Sequence, residues 1–357
     1  MFFRRSLRAG DLVEVRSREE VLATLDENGM LERMPFMPEM LRHCGHRFTV
    51  AKVAHKTCDT IHYAGARRLG RSVHLANVRC DGSAHAGCQA GCLIFWKEAW
   101  LKRVRPDGVA ESAHTTTVAR PPTWTVERLE AAARGGAAGP RDAARYVCQA
   151  TELLRATEPL PWWDARQYVR DFMSRNFSLG YVLRALFLAG LRALMRVGVG
   201  YRLLLRMHNR IAVAAGSRGV CDLTGPIPKG APTPASDLKL RAGDWVRVRS
   251  GDEIVSTLNI NGRNKGLSFD SEMLRYCGEK FRVQSVIETI IDEGSGRVLA
   301  MKNPCIRLEG VYCRSEYIAE RLMCPRAMVH YWRPIWLDRL PQTQADDATP
   351  GAGKPGG

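Results

Sequence analysis

The sequence contains an internal duplication, and this feature limits the possible folds more than any other. The segment LRAGDLVEVRSREEVLATLDENG at 7–29 returns as LRAGDWVRVRSGDEIVSTLNING at 240–262, and MLRHCGHRFTVAKV at 40–53 returns as MLRYCGEKFRVQSV at 273–286. The offset stays at 233, and 24 of the 47 positions from 7 to 53 are identical. Self-similarity of this length indicates two copies of one structural unit.

The similarity continues to the end of each copy. Cys80 matches Cys313 at the same offset, and after a three-residue insertion FWKEAWLKRV at 95–104 matches YWRPIWLDRL at 331–340. Segments rich in proline and glycine, typical of linkers, separate the copies from a helical segment. The predicted organisation is a first repeat (1–104), a linker (105–140), a helical module (141–215), a second linker (216–239), a second repeat (240–340) and a disordered tail (341–357).

Local patterns predict a mixed α+β fold for each repeat. GDWVRVR alternates as a strand does, and the Ser17–Glu20 and Ser250–Glu253 spacings predict capping boxes that begin short helices. Two β-rich runs around Glu-Gly-Ser-Gly at 293–296 predict a hairpin. The tryptophan-rich run at the end of each copy is expected to be a helix.

Two resemblances accompany these patterns. The opening GDxVxVR strand with later antiparallel strands resembles the small SH3-like barrels, which implies two duplicated SH3-like β-barrel or α+β domains flanking the helical module. The segments MLRYCG, KNPCIRLEGVYC, MCPR and YWRPIWL resemble uncharacterised bacterial proteins. Neither resemblance implies a reaction mechanism.

Composition narrows the class of protein. The formal net charge is +16, which favours acidic or phosphate-rich partners. The sequence has neither a secretory signal pattern nor a run of about 18 uncharged apolar residues, so a cytoplasmic protein is expected. In a reducing compartment, the eleven cysteines fit a disulfide framework poorly, which leaves metal binding, catalysis or burial as their roles.

Cysteines at matching places in both copies predict metal sites. Cys305 adds a fourth thiol to the second copy, and four is the count that a closed tetrahedral zinc site needs. In the first copy, Ser72 replaces Cys305, so the fourth ligand would be Cys58, His74, His85 or Cys92. Zinc is favoured over an iron–sulfur cluster because no ferredoxin spacing is present, and small packing residues are the alternative. The predicted ligands are Cys44, Cys80, Cys88, Cys277, Cys305, Cys313 and Cys324.

A catalytic thiol is the alternative for RCDGSAHAGCQAGCLIFWKEAWLKRV at 79–104. If GCQAGCLIFWKEAW is a helix, its dipole lowers the pKa of a cysteine near its start, and His85 would act as the base for Cys92. The second copy has Met328 and Arg321 at these positions, so this chemistry would belong to the first repeat. Cys148 lies on a predicted helix. This helical segment would either pack against the first repeat or form a ligand pocket with it.

An arginine stripe marks the helical module. From Phe172 to Arg218 there are eight arginines and no aspartate or glutamate. A continuous helix would suit an anionic membrane surface, whereas a hairpin broken near residues 198–200 would be buried between the repeats. Nucleic acid is less favoured because the aromatics lie away from the stripe. The predicted anion-binding residues are Arg184, Arg192, Arg196, Arg202, Arg206 and Arg210.

These observations predict a cytoplasmic, zinc-binding tandem-repeat protein with a binding or accessory role. One alternative is a thiol- or metal-dependent enzyme with its site in the first repeat. Another is a peripheral protein that contacts an anionic membrane surface, or an acidic protein, through the central arginines. No phosphate-binding loop, nucleophile elbow or HExxH motif identifies a substrate.

Overall fold

The computed structural model describes residues 6–105, 107, 110, 124–135, 145–196, 201–214 and 223–341. The chain divides into two compact units. The first comprises Met1–Val182, Thr289–Ala300 and Met323–Arg326, and the second comprises Leu183–Glu288, Met301–Leu322 and Ala327–Gly357. The first unit therefore extends beyond the predicted repeat 1–104. The predicted tail from 342 onward and most of the first linker lie outside the described residues.

The first unit is built mainly from antiparallel strands. Its helices are α1 (Arg18–Leu22), α2 (Val126–Ala133) and α3 (Arg166–Met173). Its strands are β1 (Leu12–Val15), β2 (Met30–Leu31), β3 (Met34–Pro35), β4 (Arg47–Val53), β5 (Lys56–Cys58), β6 (Ala66–Leu69), β7 (Ser72–Leu75), β8 (Trp96–Lys97), β9 (Leu101–Arg103) and β10 (Thr157–Leu160). The main sheet has the order β8-β7-β4-β1-β9, and a smaller sheet has the order β10-β6-β5.

The second unit contains a sheet of the same strand order. Its helices are α4 (Leu179–Arg196), which begins in the first unit, α5 (Tyr201–Ala214) and α6 (Gly251–Val255). The remaining strands are β11 (Trp245–Val248), β12 (Arg263–Asn264), β13 (Leu267–Ser268), β14 (Lys280–Ile291), β15 (Val298–Tyr312), β16 (Val329–Trp332) and β17 (Leu337–Arg339). The sheet order is β16-β15-β14-β11-β17.

The two five-stranded sheets also share their register. Val13 lies opposite Phe48 between β1 and β4, and Val246 lies opposite Phe281 between β11 and β14. These positions differ by the repeat offset of 233. Within the described residues, neither sheet closes into a barrel, so the class is mixed α+β with open antiparallel sheets.

Matching tryptophans form the centre of each core. Trp100 is fully buried, and its indole N–H donates to Thr24 Oγ1 at 3.0 Å. In the second unit Trp336 is fully buried and donates to Thr257 Oγ1 at 3.0 Å. The expected tryptophan-rich helix at the end of each copy is wrong, because short strands and a 3₁₀ turn occupy these residues.

Two local predictions are confirmed. Both capping boxes are present, at Ser17 with Glu20 and at Ser250 with Glu253. The hairpin around 293–296 is also present, since β14 and β15 are neighbours in the sheet. Its tip, Thr289–Ala300, belongs to the first unit.

Candidate metal centre

The glycine-rich loop between β7 and β8 carries His85 and three cysteines, Cys80, Cys88 and Cys92. The Cys80 N–H donates to the Cys92 carbonyl at 2.9 Å, which closes the base of the loop. Gly82 has a φ of +73°, and a Cβ there would lie 2.0 Å from the Cys88 carbonyl oxygen. Only glycine fits such an approach in the left-handed region. The predicted helix across Cys88 and Cys92 is therefore wrong.

Glu39, Cys80 and His85 converge in this loop region. Glu39 lies in the 3₁₀ turn Pro38–His43, and its Oε1 accepts from the Cys80 Sγ at 3.0 Å. The same oxygen lies 3.1 Å from Nδ1 of His85. The donor atoms of all three residues lie within 4.8 Å of one another, the spacing of a group that could hold one metal ion.

The ionisable side chains of this group are almost completely buried. The side chains of His85 and Glu39 are 1% and 0% exposed. Among the described residues, Glu39 Oε2 has no hydrogen-bond partner, although it is fully buried. A buried carboxylate oxygen without a partner is costly unless a cation or a donor compensates it.

The backbone determines which nitrogen of His85 faces the carboxylate. Nε2 lies 3.2 Å from the Val147 carbonyl oxygen, which can only accept, so Nε2 carries a proton. Nδ1 faces Glu39 Oε1 and can donate to it when the ring carries both protons, whereas loss of that proton would leave a lone pair for a metal ion. Metal-binding histidines commonly donate their second N–H to a backbone carbonyl in this way.

The surroundings favour the carboxylate form of Glu39 and disfavour the thiolate form of Cys80. Although burial alone would raise it, the contacts with His85 and with the Cys80 thiol hold the pKa of Glu39 below its usual value. Burial, together with the neighbouring Glu39 carboxylate, raises the pKa of Cys80 far above the usual range. Cys80 is therefore a neutral thiol unless a cation stabilises its thiolate.

A cavity of about 570 Å³, counted with the solvent at its mouth, lies beside the group. Gln149 connects its segment to Phe95 in the cavity wall. Its side chain accepts from the Phe95 N–H at 2.8 Å and donates to the Phe95 carbonyl at 2.9 Å. Cys148 is thereby placed in the wall from an irregular segment, not from the predicted helix. The polar and sulfur-bearing lining residues are Met37, Cys80, His85, Cys88, Cys92, Cys148, Gln149, Glu293 and Arg326.

The geometry does not activate Cys92 as a nucleophile. Burial raises the pKa of Cys92 to about 11, whereas the sequence hypothesis needed a lowered value from a helix N-terminus. Val147 and Glu39 already lie against the two ring nitrogens of His85. Cys92 and His85 line the same cavity, but the predicted helix is not present.

The predicted ligands of the second repeat do not form a comparable group. In the part of the chain that the structure describes, the Glu39 group is the single set of three or more donors within 4.8 Å. Cys277 is buried in the core of the second unit, Cys305 contacts the Arg333 guanidinium at 3.3 Å, and Cys313 lies 3.5 Å from Ser315 Oγ. Cys324 belongs to the first unit.

Three further candidate ligands of the first repeat, Cys44, Cys58 and His74, lie outside the cavity lining. Cys44 is half-buried against the hydrophobic core of the first unit. His74 is buried with Nδ1 2.9 Å from the Ile94 carbonyl oxygen. Burial lowers the pKa of His74 to about 4, so this ring is neutral at ordinary pH.

Glu39 is the member of the group that the sequence interpretation missed. A signal for it existed in the duplication, because Phe36 and Glu39 are the two identities in the otherwise divergent stretch from 30 to 39. Its counterpart, Glu272, is also fully buried, but its Oε1 accepts the Tyr317 N–H at 2.6 Å.

The arginine stripe is divided between two helices. Arg192 of α4 donates from Nε to His208 Nε2 at 2.9 Å and from Nη2 to the Glu316 carbonyl at 3.0 Å, so it is engaged within the second unit. Arg184 is half-buried, whereas Arg206 and Arg210 of α5 are exposed. The side chains of Arg196 and Arg202, and the predicted break at 198–200, lie outside the described residues.

None of the helices described here is both long enough and apolar enough to cross a membrane. No protein-family model matches the chain, and no curated protein or solved structure shows a significant match to it. The geometry of the site is therefore the basis on which a function can be argued.

Proposed function

We propose that the protein is a metal-dependent protein whose centre lies in the first unit at Glu39, Cys80 and His85. The observation that carries this proposal is the convergence of a carboxylate, a thiol and an imidazole within 4.8 Å. The unpartnered, buried Oε2 of Glu39 supports it, because a bound cation would compensate this oxygen.

The donor set suits zinc if a single ion occupies the site. Zinc accepts cysteine sulfur, histidine nitrogen and carboxylate oxygen, and catalytic zinc sites combine three protein ligands with one open position. Cys80 and His85 both line the cavity, so an open position would face it. A zinc ion there would act as a Lewis acid or activate a water molecule.

This arrangement favours the enzyme hypothesis over a purely structural metal site in each repeat. Glu39 has a buried counterpart in Glu272, but Arg321 occupies the position of His85 in the second repeat and pairs with Asp270 at 2.5 Å. We therefore assign the chemistry to the first unit and a supporting role to the second.

Metal analysis of the purified protein tests the proposal, with a matched pair of variants. Glu39→Gln removes the charge of one ligand and should lose most of the bound metal, because ligand substitutions weaken binding strongly. Glu272→Gln changes the corresponding buried glutamate of the second repeat and should keep the metal. Wild-type protein without metal, or equal loss from both variants, would contradict the proposal.

A second candidate role concerns α5, where two exposed arginines adjoin exposed apolar side chains. Leu203 is 64% exposed and Met207 is 40% exposed, and Arg206 and Arg210 are exposed beside them. Basic and apolar side chains together suit the surface of an anionic membrane. This supports the proposed peripheral contact with acidic lipid, and an acidic protein surface is the competing partner.

A further inference from the structure

Four cysteines line the cavity beside Glu39 and His85, and they come from two distant segments of the first unit. Cys80, Cys88 and Cys92 belong to the loop between β7 and β8, and Cys148 belongs to the segment after α2. The thiols are electrostatic neighbours: besides burial, Cys92 and Cys88 both contribute to the raised pKa of Cys148. The cavity wall thus presents a set of four sulfur atoms.

The spacing of these sulfur atoms does not suit a single ion. A tetrahedral zinc ion holds its thiolates at about 2.3 Å, which sets the sulfur atoms roughly 3.8 Å apart. In the described chain, no three of the four thiols meet within 4.8 Å, although all four residues line the same cavity. This arrangement leaves space between the thiols for a group that is larger than one ion.

The cavity also provides groups that stabilise negatively charged sulfur. The backbone N–H of Ile291 donates to Cys88 Sγ at 3.2 Å. Arg326, with 4% of its side chain exposed, lies in the cavity wall and is paired on one side with Glu293 Oε1 at 2.7 Å. Hydrogen bonds to sulfur and nearby charge are the means by which proteins stabilise and tune thiolate-bound clusters.

We infer that Cys80, Cys88, Cys92 and Cys148 hold an iron–sulfur cluster in this cavity. The inference rests on the proposed function of a metal-dependent protein with its centre in the first unit, shares Cys80 with the ligand set proposed above, and names a cluster in place of the single ion. Four thiolates are the ligand set of common iron–sulfur clusters, and plant-type ferredoxins likewise combine a close run of three cysteines with a distant fourth. Because the fold brings in Cys148, no local spacing motif is required.

In this arrangement Glu39 and His85 act as positioning residues next to the cluster. Binding deprotonates Cys80 and removes its hydrogen bond to Glu39. The 3.1 Å contact with His85 Nδ1 remains available to hold the carboxylate. The two residues therefore orient the loop that carries three of the four thiolates.

The test is the content of iron, acid-labile sulfide and zinc in full-length protein purified under anaerobic conditions and reconstituted with ferrous iron and sulfide. We expect iron and sulfide in equal amounts, with visible absorption that bleaches when dithionite is added. Zinc without sulfide, lost in Glu39→Gln but kept in Cys148→Ala, would overturn the inference and leave the proposed metal centre intact. Protein that binds no metal at all would overturn both.

Cysteine variants locate the cluster. Cys88→Ser and Cys148→Ser should lose most of the iron, sulfide and visible absorption. Cys44→Ser in the first unit and Cys305→Ser in the second change cysteines outside the cavity and should retain all three. If the controls lose the cluster and the cavity variants keep it, the assignment is wrong. If a cavity variant does not fold, the iron and sulfide content of the wild type still decides the question.

Discussion

The Oε1 atom of Glu39 lies 3.1 Å from Nδ1 of His85, and neither side chain exposes more than 1% of its surface. The second repeat keeps the glutamate, as Glu272, but not the histidine. Arg321 stands in its place and reaches Asp270 instead of Glu272. This difference between the repeats separates a potential metal centre from a buried glutamate whose Oε1 accepts a backbone N–H, while its Oε2, like that of Glu39, has no hydrogen-bond partner among the described residues.

Glu272 should make the stability of the second unit depend on pH. Burial raises its pKa to about 7, and the nearby carboxylates of Asp270 and Glu316 add to this. The raised folded-state pKa means that the stabilising contribution is fully present below the ordinary glutamate pKa of 4.5 and is lost as the pH rises through about 7. The loss should be on the order of 1–3 kcal/mol.

Chemical denaturation between pH 4 and 8 checks this dependence. Glu272→Gln cannot ionise and should flatten the profile over the interval in which the wild type loses stability. Glu309→Gln, at an exposed position of the second unit, serves as the control and should follow the wild type. Parallel profiles for all three proteins would show that Glu272 does not titrate in this range.

Gly82→Ala should disrupt the loop that carries the cavity cysteines. The added Cβ would lie 2.0 Å from the Cys88 carbonyl oxygen, and the φ of +73° strains any L-residue. Gly87→Ala is the matched control, since Gly87 has a φ of +72° but an open space for its Cβ. The control should cost about 1 kcal/mol of stability, whereas Gly82→Ala should also lose bound metal. Equal metal content in the two variants would contradict the expected role of this contact.

Asp171 should be essential to the first unit. Its Oδ2 lies 2.6 Å from Lys56 Nζ, and both side chains are fully buried. Asp171→Ala leaves the ammonium group without its partner and should destabilise the unit by about 3–5 kcal/mol. Glu14→Ala, which breaks the more exposed pair with Arg47, should cost less than about 1 kcal/mol.

A double variant distinguishes the loss of the ion pair from damage to the surrounding packing. Lys56→Met combined with Asp171→Leu removes both charges and should recover much of the stability lost in Asp171→Ala. Thermal melts of the single and double variants provide the comparison. A double variant as unstable as the single one would show that packing, not the unpaired charge, causes the loss.

The exposed arginines of α5 should bind anionic vesicles. Arg206→Glu with Arg210→Glu should reduce binding to vesicles that contain acidic lipid, and salt should weaken binding of the wild type. Arg263→Glu with Arg282→Glu places the same charge change at two other exposed positions of the second unit and should reduce binding less. Co-sedimentation with acidic and neutral vesicles measures the difference. If the wild type ignores acidic lipid at low ionic strength, an acidic protein becomes the favoured partner.

The sequence was sufficient for the features that depend on neighbouring residues. Ser17 and Glu20 lie one helical turn apart, so their reciprocal hydrogen bonds form wherever that helix begins. The duplication predicted the matched tryptophans, and Trp100 and Trp336 are fully buried with equivalent threonine partners. The mixed α+β class also follows from alternating strand patterns next to short capped helices.

Short-range patterns misled the interpretation in the cysteine loop. The run from Cys88 to Trp100 has helix-like spacing, but Gly82, Gly87 and Gly91 have positive φ values and the loop closes on itself. Periodicity describes one segment at a time, whereas this stretch also bonds to a distant residue, since the Gln149 side chain pairs with the Phe95 N–H and carbonyl.

The sequence by itself determined the duplication, the class of fold and the stretch at 79–104 in which cysteines and a histidine concentrate. Only the tertiary structure decided which of these residues share a cavity. Besides the loop residues, the cavity is lined by Cys148 from a segment after α2 and by Ile291 from a hairpin near the other end of the chain, while Glu39, from a 3₁₀ turn, contacts Cys80 and His85 beside it. The physical reason is that a cavity forms where distant segments pack together, and the free energy of that packing depends on contacts between residues far apart in sequence.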